Sequence, residues 1–353
     1  MDRQFYIDLA HGGLRMPIGT DLVLSEKPDH AQIVLDGARL GSVIAESAAR
    51  WRTPLAVGLM DLTLEKTAML EALGLGAADP LTHHFTSPPP ADAVEKITAP
   101  TARFNRQFQA HIDAVTHVAR NHSELVPVGM SIGPFSLMTK LLADPLTPVF
   151  LAGSGLGPED EESIALMLRA MELAEAMVLR NVEAQAKAGA KALLLAEPAA
   201  NRVFIAPRLV EEGSDIWERL VMEPNRRLRN LLDKHGVDLM FHCCGELEPW
   251  MVRDFTTLQP VVLSLGASRR LWEDTQLVPN DIVLYGNLPT KNFYSDEAVP
   301  PSKVVEMSRE LHSKMRAAGH PFILGSECDV LSVTGKEDLI RRKVDLFMTC
   351  ELE

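Results

Sequence analysis

Short apolar runs alternate along this chain with longer stretches in which apolar positions recur every three or four residues, the two periods that separate strands from helices. In order, the runs are Pro17–Asp21, Pro54–Met60, Val126–Ser131, Ala192–Ala196, Val237–Phe241, Pro260–Leu265, Ile282–Tyr285 and Pro321–Leu324. Helical patterning covers Asp29–Trp51, Leu64–Leu75, Phe104–His122, Glu159–Ala188, Glu212–Lys234 and Ser302–Ala318. The acidic run Glu159-Asp160-Glu161-Glu162 opens the fourth of these, where the positive end of the helix dipole favours carboxylates. The glycine-rich Gly153–Pro158 before it is not fed by a strand, so it reads as a turn leading into that helix rather than a phosphate loop.

Continuous apolar strands alternating with amphipathic helices imply a parallel sheet covered by helices. Eight such repeats within 353 residues predict a closed (β/α)8 TIM barrel rather than an open sheet. No linker or shift in composition divides the chain, so one domain over 1–353 is expected, with an N-terminal helical extension and inserted loops such as the Pro-rich one at Ser87–Pro90. Functional residues of such barrels gather at the C-terminal ends of the strands. Asp21, Asp61, Ser131, Glu197, His242, Cys244, Asn287 and Cys328 all fall at or just past predicted strand ends.

The most informative of these ends is Phe241-His242-Cys243-Cys244-Gly245, taken together with Gly325-Ser326-Glu327-Cys328-Asp329. Side chains at i and i+2 of an extended chain share a face, so His242 and Cys244 project side by side while Cys243 turns into the core. Cys328, at the end of the eighth run, is the natural third member of an N/S ligand set of the kind Zn²⁺ prefers. The competing reading is that the cysteines are small buried hydrophobes and the histidine a hydrogen-bonded core residue. Cys350, close to the chain end, belongs to neither group.

Composition narrows the class without naming the chemistry. With 46% hydrophobic and 24% charged residues the chain has the make-up of a soluble globular protein, and no apolar run is long enough to span a membrane. A formal net charge of −13 argues against nucleic acid or an anionic membrane as partner. Four cysteines in a chain this long do not form a disulfide framework, and the N-terminus lacks the pattern of a secretory signal, so reduced thiols and a cytoplasmic location are expected.

Several motifs occur in a telling order: Met16-Pro17, Leu59-Met60-Asp61-Leu62-Thr63-Leu64-Glu65, Gly133-Pro134-Phe135-Ser136-Leu137, Gly189-Ala190 before Ala196-Glu197-Pro198, Phe241–Gly245, and Tyr285-Gly286-Asn287-Leu288. This succession resembles the uroporphyrinogen decarboxylase superfamily from end to end. Within it, His242-x-Cys244 with a late Cys328 resembles the corrinoid-dependent branch typified by methylcobamide:coenzyme M methyltransferases. The true decarboxylases differ: their basic segment near the first strand is replaced here by Gly19–Val23, their tyrosine after the Gly-Pro-Phe motif by Lys140, and their late histidine by Cys328. The chain also departs from the methyltransferase pattern, with Gly266 where many relatives carry aspartate and Glu327 where glycine is common.

The resemblance implies a zinc enzyme whose ligands are His242, Cys244 and Cys328. Such an enzyme moves a methyl group between a corrinoid, carried by a partner protein, and a small substrate that is either a thiol acceptor or an O-, N- or S-methyl donor. Glu197 and Glu327 are candidates for a resting fourth ligand or for orienting His242. Asp61 is a candidate for substrate binding or proton movement, or simply for capping a helix, and Asn287 for holding substrate or corrinoid, or simply for a tight turn. Trp250 and Trp272 are candidates for an apolar platform under the corrinoid or for packing. The alternative activity is that of a metal-free lyase of the uroporphyrinogen decarboxylase kind. Whether the chain forms a homo-oligomer is left open at this stage.

Overall fold

The computed structural model describes residues 1–99 and 102–352. Its eight strands are β1 (Arg15–Ile18), β2 (Leu55–Val57), β3 (Val126–Ile132), β4 (Ala192–Ala196), β5 (Asp238–Cys243), β6 (Val262–Leu265), β7 (Val283–Leu288) and β8 (Phe322–Asp329). All seven ladders are parallel, in the order β1-β8-β7-β6-β5-β4-β3-β2. The result is the expected (β/α)8 barrel, nearly closed, with its seam between β1 and β2. Side chains bridge that seam: Thr20 Oγ1 donates to the Val57 carbonyl at 2.8 Å, and Thr53 Oγ1 reaches the Met16 sulfur at 3.3 Å.

Two apolar layers follow from the period of two along each strand. Leu194, Met240, Val262 and Val283 lie in register side by side and fill the barrel interior. Their neighbours Leu193, Leu195, Phe241, Leu263 and Leu284 point outward against the helices. One inward step further toward the C-terminal end, the same register aligns Ala196, His242, Ser264 and Tyr285. The Tyr285 ring lies over Gly325, where a Cβ would come within 2.4 Å of it, and its hydroxyl donates to the Met16 carbonyl at 3.0 Å.

The N-terminal helix Arg3–His11 closes the opposite end. Tyr6 and Ala10 are buried among the interior residues. The Tyr6 hydroxyl and the N-terminal amine both meet the Asp238 carboxylate, at 2.8 and 2.7 Å, while Arg3 donates to the carbonyls of Gln259, Pro260 and Asp281.

Some boundaries differ from the sequence expectation. The first strand is Arg15–Ile18 rather than Pro17–Asp21, and Thr20–Leu24 forms a short helix carrying Asp21. Pro17 is tolerated in β1 because this strand is laddered on one side only. The helical pattern Asp29–Trp51 divides into His30–Ile33 and Gly37–Arg50, with Asp36 capping the second through the amides of Ala38 and Arg39. Glu212–Lys234 resolves into a wider turn at Glu218–Met222 followed by a helix over Glu223–His235. β8 runs on past Leu324 to Asp329, laddered to β7 as far as Ser326 and paired with β1 again at Asp329, opposite Ile18.

Candidate metal centre

His242 is the last inward residue of β5, and Cys244 follows just past the strand end on the same face. Cys328 lies near the end of β8, packed against the barrel interior. Parallel strands of one barrel open on one mouth, so residues more than 80 positions apart converge there. The ligand-capable atoms of His242, Cys244 and Cys328 all lie within 4.8 Å of one another. Cys243 faces the helical layer, fully buried, with its thiol against the Ala200 carbonyl. Burial pushes that thiol well above the ordinary range, as suits an inert core cysteine. Cys350 sits apart at the end of the last helix.

The imidazole is held by its far side. His242 Nδ1 is 2.8 Å from Ser264 Oγ, and Nε2, equally buried, has no hydrogen-bond partner among the described residues. A buried ring nitrogen without a partner is costly unless something occupies the space it faces. The sulfurs are electrostatically linked. A hydrogen bond between them holds Cys244 far below the usual thiol range, helped by the nearby His242 ring and the Lys291 ammonium. The same bond, with burial, pushes Cys328 up. Two converging sulfurs, one of them held toward the thiolate form, and a buried imidazole nitrogen with no partner among the described residues suit a soft metal ion. The donor set fits zinc: one nitrogen and two sulfurs, with a fourth tetrahedral position left for a visitor.

Glu197 does not orient His242. Its carboxylate, fully buried, accepts from the amides of Phe135 and Ser136 at 3.1 and 2.9 Å and from Asn225 at 3.2 Å. It therefore caps the helix Pro134–Leu141, the placement a helix dipole favours. The residue that orients the histidine is Ser264, opposite it in the β5–β6 register. Glu327 is also turned away from the imidazole: it accepts from the Ala267 amide at 3.2 Å and lies 4.0 Å from Lys291 Nζ.

Asp61 organises the turn after β2, accepting from the Thr63 amide and hydroxyl at 2.9 and 2.6 Å and from Gln107 at 2.9 Å. The Asn287 amide donates to the carbonyls of Gly266 and Arg269 at 2.8 and 2.9 Å. It thereby pins the loop after β6, which crosses directly over Cys244. A Cβ on Gly266 would come within 2.7 Å of the Cys244 carbonyl and 2.9 Å of its Cα. Arg269 secures the same loop through Asp274 and the Leu247 carbonyl. Trp250 stacks edge-on with Trp217, and Trp272 lies beneath Lys314; both pack with the helical layer.

Three residues near the centre were not singled out from the sequence. Ser264 becomes visible only once two strands are registered. Lys291, on the turn Thr290–Asn292 after β7, stands beside the Cys244 sulfur; burial would lower its pKa, but the two sulfurs and Glu327 raise it. Asp329, next to Cys328, is buried with both carboxylate oxygens unpartnered among the described residues, and burial together with Asp21 raises it well above the usual carboxylate range.

The fold and the site define a (β/α)8 barrel with a candidate histidine and dithiolate metal centre at its C-terminal mouth. The chain belongs to the uroporphyrinogen decarboxylase family: the family model described as "Uroporphyrinogen decarboxylase (URO-D)" matches residues 55–341. No curated protein matches the sequence. Among solved structures, a methyltransferase from Methanosarcina mazei shares the fold with a TM-score of 0.64 at 14% identity, covering 94% of this chain and 92% of that one.

Proposed function

We propose that this chain is a zinc-dependent methyltransferase that moves a methyl group between a corrinoid on a partner protein and a small substrate at the His242, Cys244 and Cys328 site. The observation that carries this reading is the buried His242 Nε2, without a hydrogen-bond partner among the described residues, with the Cys244 and Cys328 sulfurs gathered within 4.8 Å. Zinc held there would supply Lewis acidity at its open position, enough to keep a thiol as thiolate near neutral pH or to polarise a methyl donor.

The chain's own residues prepare that position. Ser264 fixes the ring so that Nε2 presents its lone pair, and the Cys328 thiol, raised above the ordinary range, would lose its proton on binding the metal. The loop pinned by Asn287 and Arg269 roofs Cys244 and keeps its sulfur in place. The Tyr285 ring, buried and in the same register layer as His242, is fixed by its bond to the Met16 carbonyl.

The metal-free lyase is disfavoured by the residues near β1: Gly19, Thr20 and Asp21 offer no cation for a carboxylate-rich porphyrinogen. A partner large enough to carry a corrinoid would meet a suitable surface. Exposed apolar side chains, Val203, Tyr294 and Leu331, lie on the segments that follow the C-terminal ends of β4, β7 and β8, on the face bearing the site.

The test combines metal analysis with cobalt absorption. Purified chain should carry roughly one zinc ion, and His242→Ala and Cys328→Ser should lose it. Methylcobalamin or a Co(I) corrinoid, offered with thiols, methyl ethers and methylamines, should change absorption only with the metal-loaded chain. A chain that neither holds zinc nor takes it up, or one that releases CO₂ from uroporphyrinogen, would end this proposal.

A further inference from the structure

We propose that Lys291 is a positioning residue that makes the open position of the metal centre selective for an anionic sulfur ligand. The inference rests on the zinc reading above and deepens it, since it bears on which substrates the site accepts.

The argument begins with charge. One neutral imidazole and two thiolates exactly balance a divalent ion, so the three-ligand centre carries no net charge. A neutral fourth ligand leaves it so; a thiolate leaves one negative charge in a largely buried place, which is costly unless a cation stands by. Lys291 is in position to be that cation. Its ammonium lies beside the Cys244 sulfur and 4.0 Å from Glu327 Oε2, beyond hydrogen-bond distance. Glu327 is itself committed to the Ala267 amide.

An ammonium has three donors, and among the described residues Cys244 and Glu327 are the contacts that Lys291 makes at the site. It therefore keeps donor capacity for an incoming sulfur. The side chain is 45% exposed, reaching from the mouth toward the sulfurs, so an arriving ligand meets it on the way in. Of the other nearby carboxylates, Glu197 is occupied by the Pro134–Leu141 helix, and buried Asp329, beside Cys328, is not among the groups that act on the Lys291 ammonium.

The experiment uses full-length chain loaded with Co²⁺ in place of zinc and follows ligand binding by its visible spectrum. 2-Mercaptoethanol is the anionic-sulfur probe and imidazole the neutral one. Lys291→Met should weaken thiol binding roughly tenfold or more, the loss expected when a charge-assisted hydrogen bond is removed, while imidazole binding stays within about twofold. Lys291→Arg should restore most of the thiol affinity. Equal weakening of both probes, no weakening of either, or loss of the metal itself from Lys291→Met would overturn the assignment. Wild-type chain that takes up no Co²⁺ or zinc would instead sink the underlying metal reading, a result visible from metal content before any probe is added.

Discussion

The His242 ring has one nitrogen on Ser264 and the other without a partner among the described residues, and that asymmetry sets its use. With Nδ1 engaged, Nε2 is the atom offered to a metal, as a second hydrogen bond does for ligating histidines generally. Ser264→Ala should therefore lower zinc affinity roughly 10- to 100-fold while leaving the fold intact, measured by competition with a chromophoric chelator. Unchanged affinity would mean that packing alone orients the ring. His242 and Cys244 were legible in the sequence because i and i+2 share a face whatever the rest of the chain does. Ser264 was not, because its partnership depends on how two strands slide against each other. Glu197 shows the converse: a glutamate at a strand end reads as chemistry, but its carboxylate serves two helix amides 61 and 62 residues away.

At the scale of elements, the loop after β6 and the helix after β2 each turn on one residue. Gly266 lets the loop lie on the Cys244 backbone, where there is no space for a side chain. Gly266→Asp should displace that loop, strip the Asn287 bonds and reduce metal retention; zinc content after gel filtration reads the effect. The helix Leu64–Ala72 is anchored by Glu65, buried, whose Oε1 accepts from Ser131, Ile132 and Asn181 while Oε2 has no partner among the described residues. Burial raises its pKa to about 7 from 4.5, against hydrogen bonds that lower it.

A carboxyl raised on folding stabilises fully below its unfolded pKa and loses that contribution as pH climbs through the folded value. Stability should accordingly fall by about 3 kcal/mol between pH 4.5 and somewhat above 7 on account of this group. Urea midpoints across that range should show the slope in wild type and lose this component in Glu65→Gln. An equal slope in both would exclude Glu65 as its source.

For the molecule as a whole, the two ends of the barrel do different work. The mouth holds the candidate soft ligands, and the base is stoppered by the N-terminal helix through Tyr6, Arg3 and the Asp238 carboxylate. Tyr6→Phe removes a hydrogen bond to a charged group and should cost about 1.5–3 kcal/mol, read by urea unfolding, with zinc content unchanged. Loss of metal in this variant would show that base and mouth are coupled.

Periodicity alone determined the barrel, since alternating periods of 2.0 and 3.6 leave few ways to bury both faces of eight strands, and local spacing determined which side chains stand side by side on one strand. Only the tertiary structure decided what crosses between strands: the Ser264 bond, the Gly266 contact, Lys291 over the sulfurs and the actual employment of Glu197. Those relations depend on register and on the paths of loops, which are set by the packing of the whole chain and leave no periodic trace in any one segment.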